Sequence, residues 1–188
     1  MEFLPAPTHP GSPAAEVHVW RAAAGAASSS QILRRVLALY LGEAAEEIEF
    51  ARGEHGKPRL AAEPGRLAFN LSHSGELVLV AVAEGREVGV DVERLKAERD
   101  LVALAERAFD SEGAKAVRAA GGDDRTHVFY DLWTRHEARL KCLGVGLASA
   151  AIRSSSPIAV ESLPIDPGYA AAVAVAGETV PVRFWTLD

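Results

Sequence analysis

An uninterrupted apolar run in the middle of the chain limits the folds that this sequence can adopt. Residues 77–83 read Leu-Val-Leu-Val-Ala-Val-Ala, without a polar or charged side chain. The short length and the β-branched residues favour a buried strand. Glu84-Gly85-Arg86 has the composition of a tight turn. The run from Val88 to Glu93 then predicts a second strand, which would form a hairpin with the first.

The second predicted strand presents two carboxylates on one face. Successive side chains of a strand point to opposite faces. Val88, Val90 and Val92 therefore share one face, and Gly89, Asp91 and Glu93 share the other. Mg²⁺ prefers oxygen ligands, usually one or two carboxylates completed by waters and phosphate oxygens. We expect Gly89 to leave room on this face for a bulky ligand. The alternative is a solvated strand face that ends in polar residues.

The composition bounds the size of the fold and excludes several classes of protein. A chain of 188 residues can form one good-sized domain or two small packed halves. The net charge of −6 argues against a nucleic-acid binder, whose affinity depends on a basic surface. No apolar run approaches the roughly 20 residues of a membrane helix, so no membrane contact is expected. The single cysteine, Cys142, excludes an internal disulfide and a cysteine-rich zinc site, and a cytoplasmic location is predicted.

The start of the chain does not have the pattern of a signal peptide. Residues 1–13 contain four prolines and no lysine or arginine. A signal peptide needs a basic start followed by an apolar segment. We therefore predict a loosely ordered arm over residues 1–15.

The rest of the chain predicts a mixture of strands and helices with an internal repeat. Further strands are predicted over residues 16–20, 48–50, 67–71, 158–160, 170–176 and 180–187, and helices over about 30–41, 101–109, 112–119 and 126–143. Residues 80–91 resemble residues 173–183 once one residue is gapped. We therefore predict an α+β fold of two similar α/β subdomains, residues 16–92 and 93–188, related by a pseudo-twofold axis. The active site would lie at their junction, where ligands often bind.

The last predicted helix carries a stripe of three chemically different side chains. Trp133, Glu137 and Lys141 are four residues apart, so they lie along one helix face. The alternative is ordinary surface pairing, since a Glu followed four residues later by Lys stabilises an exposed helix by about 0.2–0.5 kcal/mol. The stripe becomes more informative beside the carboxylates of Asp91 and Glu93.

Three other positions have both a functional and a simpler interpretation. His73 lies between two serines, Ser72 and Ser74, beside the predicted buried strand, where an imidazole could donate to an anion. Arg34 interrupts the apolar stripe of the first helix, either as a solvated charge or as a phosphate contact. Glu112 lies in the first turn of a predicted helix, where the helix dipole alone explains an acidic residue.

Four segments, in chain order, resemble the signature segments of one enzyme family. They are Gly56-Lys57-Pro58, Phe69-Asn70-Leu71-Ser72-His73-Ser74, Gly89-Val90-Asp91-Val92-Glu93, and Trp133-Thr134-Arg135-His136-Glu137-Ala138-Arg139-Leu140-Lys141. The family is the Sfp-type 4'-phosphopantetheinyl transferases, and the resemblance covers roughly residues 30–177. It implies a transfer of phosphopantetheine from coenzyme A to a serine of an acyl or peptidyl carrier protein, with release of adenosine 3',5'-bisphosphate.

The resemblance also implies roles for individual residues. Asp91, Glu93 and Glu137 would hold Mg²⁺ against the pyrophosphate of coenzyme A. Lys141 would bind a phosphate oxygen and stabilise the charge that builds up during transfer, which is commonly the largest contribution to catalysis.

The adenosine end of coenzyme A and its 3'-phosphate would be bound by a second group of residues. By resemblance these are Arg34, Lys57 and His73, with Ser72 as a further candidate. The base that accepts the proton of the carrier serine would be either Glu93 or Glu112, and the sequence does not choose between them.

The chain departs from the family pattern in two places. Relatives usually carry lysine where this chain has His136, which is largely neutral at pH 7. The link between Trp20 and the helix near Ser30 is also shorter than in many relatives, so coenzyme A would be held less tightly. A catalytically weakened relative that binds coenzyme A or a carrier protein without transfer is therefore the alternative. Since one chain would contain both halves, a monomer is expected.

Overall fold

The apolar run predicted as a buried strand is an interior strand of a five-stranded sheet. A computed structural model describes residues 3–25, 27–53, 56–62, 65–97, 100–144 and 157–188. Its strands are β1 (Leu4–Pro5), β2 (Val17–Ala23), β3 (Phe50–Arg52), β4 (Pro58–Leu60), β5 (Leu67–Ser74), β6 (Leu77–Glu84), β7 (Val88–Arg94), β8 (Ile158–Ser162), β9 (Tyr169–Ala176) and β10 (Val182–Leu187). Its helices are α1 (Ser29–Leu41), α2 (Leu101–Ala108), α3 (Ser111–Ala119) and α4 (Gly122–Leu143).

Strand β6 is buried on both faces because it lies between two other layers. The first sheet has the order β1-β10-β2-β6-β5, and β6 pairs antiparallel with both β2 and β5. One face of β6 packs with α1, and the other packs against the second sheet. Every residue from Leu77 to Ala83 is buried as a result. A strand covered on both faces has no solvent side, which explains why its sequence contains no polar residue.

Strand β7 does not form the predicted hairpin with β6. It belongs to a second sheet of order β7-β9-β8, in which Val90 lies opposite Val173. Residues 85–87 therefore link one sheet to the other. The hairpin prediction was wrong because a turn composition shows where the chain reverses but not which strand accepts its hydrogen bonds. The predicted boundary between residues 92 and 93 falls inside β7, and the division into two halves stays a prediction.

The last strand of the chain, β10, belongs to the first sheet although it follows the strands of the second sheet. Strand β10 leaves the second half of the chain and inserts into the first sheet, parallel to β2, with Trp185 opposite Trp20. Two facing sheets therefore exchange strands, and their inner faces share one apolar core. The buried face of β7, formed by Val88, Val90 and Val92, belongs to that core, as the alternation predicted.

Helices cover the outer faces of both sheets. Helix α1 packs on the first sheet through Ile32, Leu33, Val36 and Leu37, the predicted apolar stripe. It begins at a capping box formed by Ser28 and ends at Gly42, whose φ of 71° is favourable for glycine. Helix α4 packs on the second sheet. The order of layers is therefore helix, sheet, sheet, helix, and the α+β prediction is confirmed.

The same strand order occurs in both sheets. In the first sheet, β2, α1, β5 and β6 form a β-α-β-β unit. The order β2-β6-β5 places the last strand of this unit, β6, between the other two. The second sheet repeats this order as β7-β9-β8, with α4 in the place of α1. This repetition agrees with the internal sequence repeat. A pseudo-twofold rotation between the units stays a prediction.

The segment expected to be a loose arm is attached to the first sheet. Leu4 and Pro5 pair parallel with β10, and the ring of Phe3 contacts that of Phe184 at a centroid distance of 4.9 Å. Pro13 is buried, and its carbonyl accepts from the N–H of Glu84. Pairing at Leu4–Pro5 and burial of Pro10 and Pro13 attach the segment at separate points, and most of its other described residues are exposed, so a loosely ordered arm stays a prediction.

Helices α2, α3 and α4 form a small bundle beside the second sheet. Their shared core includes Ala105, Val117, Phe129 and Tyr130. Helix α4 begins four residues before the predicted start, at Gly122. Within the ranges that the structure describes, no helix is both long enough and apolar enough to cross a membrane.

Candidate active site

Side chains of β5 join the two sheets at their adjoining edges. Three of these side chains accept hydrogen bonds from backbone N–H groups of β7, which we call the β5–β7 bridge. The pairs are Asn70 with Val90 at 2.9 Å, Ser72 with Val92 at 3.3 Å, and Ser74 with Arg94 at 3.1 Å. Alternate N–H groups of an antiparallel edge strand face away from its sheet. The bridge satisfies such groups of β7 and fixes the first sheet against the second.

Helix α4 crosses β7 at its glycine. A Cβ atom built on Gly89 would lie 2.1 Å from the carbonyl oxygen of Ala138 and 2.3 Å from the backbone nitrogen of Cys142. The space beside Gly89 is therefore filled by the helix backbone, and the expectation of room for a bulky ligand there was wrong. The close approach brings Glu137 and Lys141 of α4 to the polar face of β7.

Asp91 is buried, and only one of its two carboxylate oxygens accepts described hydrogen bonds. Its Oδ1 accepts a hydrogen bond from Ser72 Oγ at 2.8 Å and one from Lys141 Nζ at 2.6 Å. Lys141 Nζ also lies 3.0 Å from Ser72 Oγ. The second oxygen, Oδ2, is buried and has no hydrogen-bond partner among the described residues. The carboxylate of Asp91 thus has one satisfied oxygen and one available oxygen.

Glu137 lies within electrostatic range of Asp91 and Glu93, and we call these three carboxylates the acidic cluster. Burial raises the pKa of the Glu137 carboxyl, and the negative charges of Asp91 and Glu93 also raise it, while Lys141 acts in the opposite direction. Glu137 Oε1 is buried without a partner among the described residues. Glu93 is half-buried, and its Oε2 accepts from Ser74 Oγ at 2.9 Å. The carboxylates of Asp91 and Glu93 on β7 therefore lie within electrostatic range of Glu137 on α4, and their joint role as metal ligands stays a prediction.

An internal cation offsets part of the negative charge of the cluster. Over the described part of the chain, the side chains as placed form no group of three or more His, Cys, Asp or Glu that could hold a metal ion. The ammonium of Lys141 instead forms an ion pair with Asp91. One ammonium cannot neutralise three carboxylates, and burying unpaired charge is costly. The two unpartnered oxygens, on Asp91 and Glu137, are of the type that a hard divalent cation binds.

Two cations predicted to bind coenzyme A are engaged within the protein. The guanidinium of Arg34 donates to the carbonyl of Ile48 and lies 4.9 Å from the ring centroid of Phe50. Lys57 Nζ donates to Glu87 Oε2 at 2.7 Å and to the carbonyl of Val88 at 2.8 Å. Arg34 therefore holds the segment after α1, and Lys57 ties β4 to the start of β7.

His73 and Glu112 lie outside the cluster. Since Ser72 points towards β7, His73 points to the opposite face of β5, where it is exposed. Glu112 lies in the first turn of α3 with its side chain 82% exposed, and its carboxylate pairs with Lys115 at 3.0 Å. Neither residue makes a described hydrogen bond to Asp91, Glu137 or Lys141.

His136 is half-buried on α4 beside the ring of Phe109, with centroids 6.5 Å apart. Burial lowers its pKa, and the positive charge of Arg139 lowers it further. The imidazole is therefore neutral at pH 7, so the charge that a lysine would carry at this position is absent.

Ser74, which donates to Glu93, and Asn70, which belongs only to the β5–β7 bridge, are structural residues that the sequence reasoning did not identify. The available signal was the alternation of Asn70, Ser72 and Ser74, which places three short polar side chains on one face of a strand. Short side chains of this kind can accept from backbone N–H groups. The partner strand could not be inferred because β5 and β7 belong to different sheets.

Two family models together match most of the chain. One, described as the 4'-phosphopantetheinyl transferase superfamily, matches residues 87–179. The other, described as 4'-phosphopantetheinyl transferase, N-terminal, matches residues 17–85. The boundary between them coincides with the link from β6 to β7, where the chain passes from the first sheet to the second.

Similar curated proteins have the same description. The chain is 36% identical to the 4'-phosphopantetheinyl transferase HetI of Nostoc sp. (strain PCC 7120) over 82% of this chain and 71% of that protein. It is 31% identical to the 4'-phosphopantetheinyl transferase Sfp of Bacillus subtilis (strain 168), over 72% of this chain and 66% of Sfp. It is 35% identical to AcpT of Escherichia coli (strain K12), over 51% of this chain and 49% of AcpT.

Proposed function

Because this chain belongs to the 4'-phosphopantetheinyl transferase superfamily, we propose that it transfers 4'-phosphopantetheine from coenzyme A to a carrier protein in a magnesium-dependent reaction. The acceptor is a serine hydroxyl of an acyl or peptidyl carrier protein. The serine oxygen forms a bond to the β-phosphorus of coenzyme A as the bond to the departing phosphate breaks. The products are the holo carrier protein and adenosine 3',5'-bisphosphate.

One observation carries this proposal: two buried carboxylate oxygens without partners lie beside an ammonium group. Asp91 Oδ2 and Glu137 Oε1 make no hydrogen bond within the described residues. Their chemistry fits Mg²⁺, which takes one or two carboxylates and leaves positions for phosphate oxygens. With Glu93, they would hold the ion. When bound, Mg²⁺ would neutralise negative charge on the diphosphate.

Lys141 is suited to contact the phosphate chain of coenzyme A. An ammonium has three N–H donors. Two of them are directed at Asp91 and Ser72, at 2.6 and 3.0 Å. The third has no partner among the described residues, and the side chain is 28% exposed. This donor can reach a phosphate oxygen and stabilise negative charge there without being released from Asp91.

Glu93 is the better candidate for the base that accepts the serine proton. Its negative charge contributes to the raised pKa of Glu137, so it lies within the electrostatic range of the cluster. One of its oxygens, Oε2, is bound by Ser74. Glu112 is solvent-exposed and paired with Lys115. Exposure and pairing both make Glu112 a weaker base candidate.

A basic pocket at the link from β6 to β7, whose lining includes no residue of the acidic cluster, could receive the nucleotide end. It has a volume of about 190 Å³, and its lining includes Lys57, Arg59 and Arg86 together with Phe69. Glu87 lies between Lys57 and Arg59 and forms ion pairs with both, at 2.7 and 3.2 Å. A phosphate could replace the Glu87 carboxylate as their partner. Arg34 and His73 would bind the adenosine end only if they left their present positions.

The internal contacts of Arg34 and Lys57 favour a second candidate function. If coenzyme A is held weakly, the protein could bind a carrier protein without transferring the group. The retention of Asp91, Glu93, Glu137 and Lys141 favours transfer. Both functions would use the same carrier-binding surface, so only a chemical assay separates them.

The decisive experiment is mass spectrometry of an apo carrier protein incubated with the protein, coenzyme A and Mg²⁺. A mass increase of one phosphopantetheine group, lost on addition of a chelator and in the Glu137→Gln variant, supports the proposal. Carrier binding without a mass change supports the second candidate. Release of adenosine 3',5'-bisphosphate without any carrier protein would indicate hydrolysis instead and would contradict transfer.

A further inference from the structure

Every hydrogen-bonding position of the Ser72 hydroxyl is already used. The side chain is buried, and Oγ lies within hydrogen-bond distance of Asp91 Oδ1, Lys141 Nζ and the backbone nitrogen of Val92. A serine hydroxyl has one hydrogen and two acceptor lone pairs. The ammonium and the backbone N–H can only donate, so they occupy both lone pairs. The single hydroxyl hydrogen must therefore point at Asp91 Oδ1.

This arrangement leaves Ser72 no capacity to bind coenzyme A. A contact with a phosphate would need the hydroxyl hydrogen, which is committed to Asp91. The same arrangement determines which oxygen of Asp91 is available. Oδ1 is bound by Ser72 and Lys141, and Oδ2 is left without a partner among the described residues.

We propose that Ser72 is a positioning residue for the metal site: it fixes the rotation of the Asp91 carboxylate, so that Oδ2 faces the metal. This inference rests on the proposed function, because it assumes that Asp91 is a metal ligand. Ser72 also joins three elements at one atom, since its partners lie on β7 and α4 while it belongs to β5. Groups that orient metal ligands by hydrogen bonds typically affect metal affinity by about 10–100-fold when removed.

The neighbouring residue of the β5–β7 bridge provides a matched control. Asn70 Oδ1 accepts from the backbone N–H of Val90 at 2.9 Å, in the same register as Ser72 with Val92. No described hydrogen bond joins Asn70 to an acidic side chain. Loss of either side chain leaves one N–H of β7 unpaired, but only the loss of Ser72 removes one of the two hydrogen bonds that hold Asp91 Oδ1.

The test measures Mn²⁺ binding by electron paramagnetic resonance for the wild type, Ser72→Ala, Ser72→Thr and Asn70→Ala, without coenzyme A or carrier protein. Mn²⁺ is chosen because it also prefers carboxylate and water ligands. We expect Ser72→Ala to raise the Kd for Mn²⁺ by about 10–100-fold. Ser72→Thr, which keeps a hydroxyl, should restore most of the affinity. Asn70→Ala should lower the melting temperature about as much as Ser72→Ala while its Kd stays at the wild-type value.

Three results would overturn the inference. They are an unchanged Kd in Ser72→Ala, an equal loss of affinity in Ser72→Ala and Asn70→Ala, and a Ser72→Ala variant in which only the KM for coenzyme A rises. Its failure can be told apart from failure of the proposed function. If the wild type binds Mn²⁺ and the variants follow the expected pattern but no carrier protein is modified, the inference holds and transfer is refuted. If the wild type binds no Mn²⁺ under these conditions, the inference is refuted, and the carrier-protein mass assay decides on transfer independently, since coenzyme A would supply further oxygen ligands there.

Discussion

Replacement of Gly89 by alanine tests whether the site depends on the close approach of α4 to β7. The added Cβ would lie 2.1 Å from the carbonyl oxygen of Ala138, against 3.4 Å for the start of ordinary van der Waals contact. The helix and strand must therefore separate by about 1.3 Å. The contacting atoms belong to backbone, so no side-chain rotation can relieve the overlap.

The separation would act directly on the polar cluster. If all of it appeared between Lys141 Nζ and Asp91 Oδ1, their distance would grow from 2.6 Å to about 3.9 Å, beyond hydrogen-bond range. Overpacking a well-packed core costs about 1–3 kcal/mol of stability. A displacement of about 1 Å at a reacting centre can reduce the rate about 100-fold. We therefore expect Gly89→Ala to fold with reduced stability and to lose most of its transfer activity.

The assay combines urea unfolding, followed by circular dichroism, with the rate of carrier-protein modification. Gly25→Ala is the matched control, because a Cβ at Gly25 meets no atom within 4 Å and its backbone needs no positive φ. This control should retain both stability and activity. If Gly89→Ala had wild-type stability and a wild-type rate, the packing argument for the site would be refuted.

Three further predictions concern titratable residues. Glu137→Gln should be more stable than the wild type at pH 7 in the absence of metal. Because the pKa of Glu137 is raised in the folded protein, the wild type loses stability as the pH rises above the ordinary pKa of 4.5. Urea unfolding at pH 7 and pH 4 should show that the difference in stability between the two proteins is smaller at pH 4. His136→Lys should keep or raise the turnover number, because the neutral imidazole supplies no charge; a large loss in steady-state kinetics would show that the imidazole has its own role. Burial lowers the pKa of His18, so the unfolded chain binds more protons there and stability falls as the pH drops below 6.5. Urea unfolding at pH 7.5 and pH 5.5 should give a smaller decrease for His18→Gln than for the wild type, and an equal decrease would contradict the assignment.

Much of the local structure could be predicted from local chemistry. The capping serine, apolar stripe and terminal glycine of α1 all depend on residues within a few positions of one another. The opposite faces of β7 follow from strand alternation alone, and the structure places Val90 in the core and Asp91 against Lys141. In these cases the interacting groups are neighbours in the chain, so short sequence patterns are sufficient.

The wrong predictions share one cause. The hairpin between β6 and β7 and the open space at Gly89 each depend on what another part of the chain contributes. Strand β7 pairs with β9, and the space at Gly89 is taken by α4. Composition near each segment carries no information about such partners.

The sequence by itself determined which residues are candidates for the chemistry, because carboxylates, an ammonium and their spacing on strand and helix are properties of short segments. Only the tertiary structure decided how they meet. Ser72, Asp91 and Lys141 come from three elements, and their contacts span up to 69 positions of the chain. Whether the Ser72 hydroxyl faces a ligand or a neighbouring carboxylate depends on the distance between two sheets. Strand exchange and the packing of a helix on a glycine set that distance, and both are long-range interactions.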